Sequence, residues 1–91
     1  MPRYVVERSF PDGLRIPVTP EGAEALRGVV TNNDEHGATW VTSFVSSDAT
    51  RTYCVYDAPS PEAVRQAATT NGLPADQITE VRVLDPYFYL G

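Results

Sequence analysis

The chain has no lysine, and only one histidine, one cysteine, one tryptophan and one methionine in 91 residues. Each scarcity removes a chemistry. With every one of its seven basic residues an arginine, the sequence offers no amine for a Schiff base or a lysine general base. A lone histidine, His36, supports no Ser-His-Asp arrangement, and there is no HExxH, no CxxC and no glycine-rich phosphate loop. Cys54 has no second thiol to pair with, which suits a reducing compartment. No apolar run approaches the ~18 residues that cross a bilayer, and Met1-Pro2-Arg3-Tyr4 lacks the apolar stretch of a secretory leader. The expectation is a cytoplasmic protein with no membrane partner. Positive charge is also scarce: twelve acidic residues against seven basic leave a net charge of −5, which repels a phosphate backbone and disfavours nucleic acid as a partner.

What remains is ordinary globular material. A 42% hydrophobic and 21% charged composition is too apolar for disorder, and a chain of this length supplies one core, hence a single domain over residues 1–91. Arg3 to Phe10 is rich in β-branched and aromatic residues and stops at Pro11-Asp12-Gly13, which reads as a strand. Leu14-Arg15-Ile16-Pro17-Val18 carries a proline in its middle and reads as a connecting arm. Thr19-Pro20-Glu21 opens a helix, with Gly22, Leu26, Val29 and Val30 as its apolar stripe, and the polar run from Thr31 to Gly37 reads as its end.

Thr39 to Ser46 alternates Trp40, Thr42 and Phe44 against Val41, Ser43 and Val45, and after a turn at Ser47-Asp48-Ala49 the alternation resumes from Arg51 to Tyr56. That is a β-hairpin. Ser60-Pro61-Glu62 repeats the helix-opening pattern, with Ala63, Val64, Ala67 and Ala68 as the buried stripe and Asn71-Gly72 as the stop. A last strand runs from Ile78 to Leu84.

The order β-α-β-β-α-β predicts an α+β, ferredoxin-like sandwich: a four-stranded antiparallel sheet with both helices on one face. The strands nevertheless carry large apolar side chains on both sides, and nine aromatics include three crowded at Tyr87-Phe88-Tyr89-Leu90. An exposed patch of that size calls for cover, so the sequence predicts a homodimer packed sheet on sheet, forming a dimeric α/β barrel with the tail in its seal. A tail folded back on its own subunit is the alternative.

Few residues carry chemistry. His36 follows Asn33, Asp34 and Glu35, but neighbouring loop residues splay apart, so a solvated helix exit is the plain reading and a metal ligand the other. Cys54 reads either as a small buried hydrophobe or as a thiol ligand. Glu7, Glu80 and Arg82 are charges within predicted strands, either paired with one another or forming a polar spot in a sheet-lined cavity. In a dimeric barrel Trp40, Phe44, Tyr53 and Tyr56 would line that cavity, with Glu7 or Arg82 as polar handles.

Four stretches carry a resemblance: Tyr4-Val5-Val6-Glu7-Arg8-Ser9-Phe10-Pro11, Thr39-Trp40-Val41-Thr42-Ser43-Phe44-Val45, Gly72-Leu73-Pro74 on to Glu80-Val81, and, most specific, Tyr53-Cys54-Val55-Tyr56-Asp57-Ala58-Pro59-Ser60-Pro61-Glu62-Ala63. Together they resemble a family of small bacterial proteins long labelled a domain of unknown function, one actinobacterial branch of which is described as nickel-binding. The resemblance implies a ferredoxin-like dimer and a site for Ni2+ or another divalent transition metal. Members with that site often carry one histidine two residues after the tryptophan and another in the second helix; Thr42 and Ala67 stand there in this chain. Neither replaces an imidazole. The remaining metal candidates are Glu7, Cys54, Glu80 and His36.

Three functions follow from these readings. The first is a homodimeric metal-binding protein, more readily a binding protein than an enzyme. The second is a dimeric α/β-barrel binder of small molecules or a cofactor-free enzyme, by analogy of fold alone. The third is an interaction module with no ligand.

Overall fold

Thr19 and Ser60 each precede a proline, and each caps a helix. In α1 (Pro20–Glu35) the Thr19 hydroxyl accepts the Gly22 amide at 3.2 Å, and in α2 (Pro61–Asn71) the Ser60 hydroxyl accepts the Ala63 amide at 3.2 Å. Proline at the next position has no amide to leave unpaired, and Glu21 and Glu62 face the positive helix ends. Gly72 ends α2 with a left-handed φ of 67°, a conformation that costs a residue without Cβ nothing.

The computed structural model describes residues 1–14 and 19–87. Four strands, β1 (Arg3–Ser9), β2 (Thr39–Val45), β3 (Arg51–Asp57) and β4 (Gln77–Val81), pair antiparallel in the order β2-β3-β1-β4. With the two helices this is the α+β ferredoxin-like sandwich expected from the chain order. The core lies between sheet and helices: Tyr4 and Val6 of β1, Cys54 and Tyr56 of β3, Ala63 and Val64 of α2, and Ala38 and Ala58 at the strand ends, with Trp40, Ala75 and Ile78 packed against them. Burying each large apolar side chain of this set contributes about 1.5–3 kcal/mol.

Three elements depart from the sequence pattern. Helix α1 does not stop at Thr31 but continues to Glu35, because its polar residues find partners on α2. Asn32 donates to Asn71 Oδ1 at 2.7 Å, Asn71 donates to the buried Asn33 Oδ1 at 3.1 Å, and His36 Nε2 lies 2.8 Å from the Thr70 hydroxyl. Strand β4 ends at Val81, not Leu84, since Val81 already pairs with Arg3, the first residue of β1, and Pro2 beyond it has no amide to offer. In β2 the pairing slips between Trp40 and Thr42, leaving Val41 as an extra residue.

The arm at 15–18 and the tail at 88–91 lie outside the described residues. Leu14 and Tyr87 fall inside them, and the latter is exposed.

Candidate functional site

Register sorts the strand residues into two faces. Tyr4, Val6 and Arg8 of β1 stand beside Tyr56, Cys54 and Thr52 of β3, all buried toward the helices. The intervening residues form the helix-free face, where Val5 pairs with Val55, Glu7 with Tyr53 and Thr42 with Val55 from the other side. Phe44 flanks Tyr53 and is 63% exposed. At one end Arg3 donates to both oxygens of Asp57, at 2.8 and 3.1 Å, and this pairing holds the Asp57 carboxyl below its ordinary range. The helix-free face thus has an apolar centre with an ion pair at its margin.

The aromatic group expected to line one cavity is divided twice, Trp40 from Phe44 by the bulge at Val41 and Tyr53 from Tyr56 by the ordinary alternation of β3. Trp40 and Tyr56 face the helices, whereas Phe44 and Tyr53 lie on the helix-free side, so the four do not share a surface. Arg82 lies one residue past β4 and is exposed. Glu7 and Glu80 do not meet across the sheet. Glu7 pairs with Gln77 on the helix-free face, while Glu80 pairs with Tyr4 and belongs to the other face at the sheet edge. There burial pushes the Tyr4 phenol above its ordinary pKa, and the nearby Glu80 and Glu62 carboxylates push the same way.

These positions decide how far one subunit fits a nickel ion. Cys54 is buried, with its thiol 3.7 Å from the Thr52 hydroxyl; His36 sits at the exit of α1 against Thr70; Glu7 and Glu80 lie on opposite sheet faces. Among the described residues no three His, Cys, Asp or Glu side chains group closely enough to hold a metal ion. Thr42 and Ala67 are equally divided, the first on the helix-free face and the second buried on α2. One chain alone therefore does not fit the ion.

Two hollows complete the geometry. A pocket of about 330 Å³ at one end of the strands is lined by Glu7, Tyr53, Asp76 and Gln77, together with Arg8, Ser9, Arg51 and Thr52. Its donors are oxygens, with Arg8 and Arg51 both opposing any cation. The second, of about 170 Å³, opens between α1 and the sheet, where Leu26 and Val29 face Trp40, Val45, Cys54 and Tyr56. Arg8 is in its wall. The alternation Tyr4, Val6, Arg8 already put this arginine on the buried face of β1, yet its charge reads as a wet residue, and Asp76, outside any strand, gave no signal at all.

A family model described as nickel responsive protein SCO4226-like matches residues 4–81, from the first core residue of β1 to the last residue of β4. The chain belongs to this family. The crystal structure of SCO4226 from Streptomyces coelicolor A3(2) is similar to it with a TM-score of 0.72 at 19% identity, over 91% of this chain and 99% of that one. At that identity the likeness to SCO4226 speaks for the fold. Comparison with curated protein sequences gives no match. Among the described residues no helix is long and apolar enough to cross a membrane.

Proposed function

We propose that this member of the nickel-responsive family is a homodimeric metal-responsive protein, doubled through the helix-free face of its sheet. The observation that carries the reading is that face itself: Val5, Phe44, Tyr53 and Val55 form an apolar centre that neither helix covers, in a chain whose family match spans nearly its whole length. Glu7 lies on the same face and shares a pocket with Asp76. A second copy packed there would bring another Glu7 to the interface, so the metal response of this member rests on carboxylates between subunits, not on imidazoles within one. Oxygen donors favour hard ions over nickel, and weak binding of nickel follows.

Light scattering together with calorimetric titration tests both halves. The expected particle has twice the 10.0 kDa mass of the chain, and Glu7→Gln weakens divalent-ion binding about tenfold, the effect of losing one charged ligand. A 10.0 kDa particle at high concentration overturns the dimer. Absence of heat with nickel, cobalt, zinc, manganese and magnesium overturns the metal response.

A further inference from the structure

The pocket of about 330 Å³ at one end of the strands carries both signs of charge, with carboxylates at Glu7 and Asp76 and guanidiniums at Arg8 and Arg51. Their charges sum to zero, and the fold keeps the two signs apart. Glu7 pairs with Tyr53 and Ser9 with Arg51, so these four form a rectangle on the helix-free face, with Gln77 beside Glu7 on its other flank. The carboxylates thus lie on β1 and just ahead of β4, where the Asp76 amide donates to the Glu7 carbonyl at 2.9 Å, whereas Arg51 opens β3. Arg8 belongs to the buried face, its guanidinium carbon 5.7 Å from the centre of the Tyr56 ring. Arg51 is therefore the cation available to a ligand.

Glu7 and Arg51 are diagonal neighbours on one face, a placement that sets Cβ atoms ~7–8 Å apart and lets side chains of this length meet. At the other end of the same two strands Arg3 and Asp57 do meet, at 2.8 Å. Yet among the described residues Glu7, Asp76 and Arg51 form no ion pair. The space between them is bounded by anions on one side and a cation on the other. A bare metal ion entering it is repelled by Arg51, and a phosphate is repelled by two carboxylates.

We propose that this pocket binds a free α-amino acid with a neutral side chain, its ammonium toward Glu7 and Asp76, its carboxylate on Arg51 and its side chain against the Tyr53 ring. A zwitterion meets an opposite charge on each side. The guanidinium fork matches a carboxylate in two parallel hydrogen bonds, and the Ser9 hydroxyl, opposite Arg51, is a further donor. A charged side chain would find no remaining partner, since the pocket's own charges are already matched. The volume is at the low end of the ~300–1,000 Å³ that small-molecule sites occupy, which suits one amino acid better than a peptide. All of these residues belong to one chain, so the site goes beyond the metal-responsive reading and requires neither a metal ion nor a second copy.

Leucine is titrated against the intact protein in the presence of a metal chelator and followed by backbone amide shifts. Leucinamide, which lacks the carboxylate, and 4-methylpentanoate, which lacks the ammonium, are titrated in parallel. Expected is a saturable response to leucine, about tenfold tighter than to either analogue, with shift changes centred on Glu7, Ser9, Arg51, Tyr53 and Gln77. Arg51→Gln, at an exposed position that the fold does not depend on, should erase the preference for leucine over leucinamide. Glu7→Gln should erase the preference over 4-methylpentanoate. No saturable response to leucine, an affinity for either analogue equal to that for leucine, or shift changes centred on Leu26 and Val29 overturns the proposal. Because the chelator removes metal from this titration, its failure leaves the metal response standing, and loss of divalent-ion binding leaves the amino-acid site standing.

Discussion

Trp40 and Phe44, four residues apart on one strand, stand on opposite faces of the sheet. An even spacing would put them together; the extra residue at Val41 turns the strand between them, so Trp40 lies opposite Tyr56 inside the protein and Phe44 opposite Tyr53 outside it. The bulge thereby assigns the two largest side chains of β2 to separate tasks. Trp40 walls the cavity under α1, and Phe44 is the most prominent apolar group on the face proposed for dimerisation.

Phe44→Glu separates folding from assembly. At 63% exposure the side chain contributes little to the core, so the thermal stability of the subunit should change by no more than about 0.5 kcal/mol. In a sheet-on-sheet dimer the same change buries a carboxylate in each subunit, and light scattering should report a monomer. A dimer that persists in the variant places the interface elsewhere.

The asparagine clasp between the helices should matter more than its polarity suggests. Asn71 donates to Asn33 and accepts from Asn32, and Asn33 is 1% exposed. Asn71→Ala leaves the Asn33 carbonyl oxygen buried without its donor, at a cost of about 1–3 kcal/mol. For a domain of this size each kcal/mol lowers the melting temperature by roughly 4–8 °C, which circular dichroism resolves easily. A variant that melts with the parent would mean that water takes over the role of Asn71.

That clasp also marks the boundary of what the sequence discloses. Both helix starts were readable because their cause is local: Thr19-Pro20-Glu21 and Ser60-Pro61-Glu62 carry cap, proline and carboxylate in three consecutive letters. The end of α1 was not, because Asn32 and Asn33 prefer turns and stay helical through a partner 38 or 39 positions away. The hairpin was readable from its period-two pattern, but Trp40-Val41-Thr42-Ser43-Phe44 fits a regular strand and a bulged one equally well, and a one-residue slip exchanges every face beyond it. For the same reason Glu7, Glu80 and Cys54 could be named as chemically capable without any means of telling that the sheet keeps them apart.

The hairpin turn between β2 and β3 should give the protein a distinct acid response. One oxygen of Asp48 accepts from the Ser46 hydroxyl at 2.7 Å, the Thr50 amide at 3.0 Å and the Thr50 hydroxyl at 2.7 Å, and these bonds lower its pKa to about 2. A carboxyl whose pKa falls on folding stabilises the folded state fully above its unfolded value near ~3.9, and the contribution disappears as pH drops through the folded value. Asp48→Asn removes the titration. The melting-temperature gap between parent and variant should be constant from neutral pH down to about 5, then close as pH falls toward 2. A gap of constant size over that range would show that the turn does not depend on the charge.

The two positions where histidine is implied for metal-competent relatives should respond in opposite ways. Thr42 is exposed on the helix-free face beside Val55, with solvent or a second subunit above it, so Thr42→His adds an imidazole at negligible cost to folding. In a sheet-on-sheet dimer that substitution contributes one nitrogen donor from each subunit, and nickel affinity measured by calorimetry should rise more than affinity for magnesium, which prefers oxygen. Ala67 is 2% exposed within α2, and a ring inserted there overpacks the core against the sheet at a cost of about 1–3 kcal/mol. Ala67→His should therefore melt earlier and gain no nickel affinity. The double variant should bind nickel no better than Thr42→His alone, because the sheet lies between the two positions; a cooperative gain from the pair would require α2 to leave its place in the core.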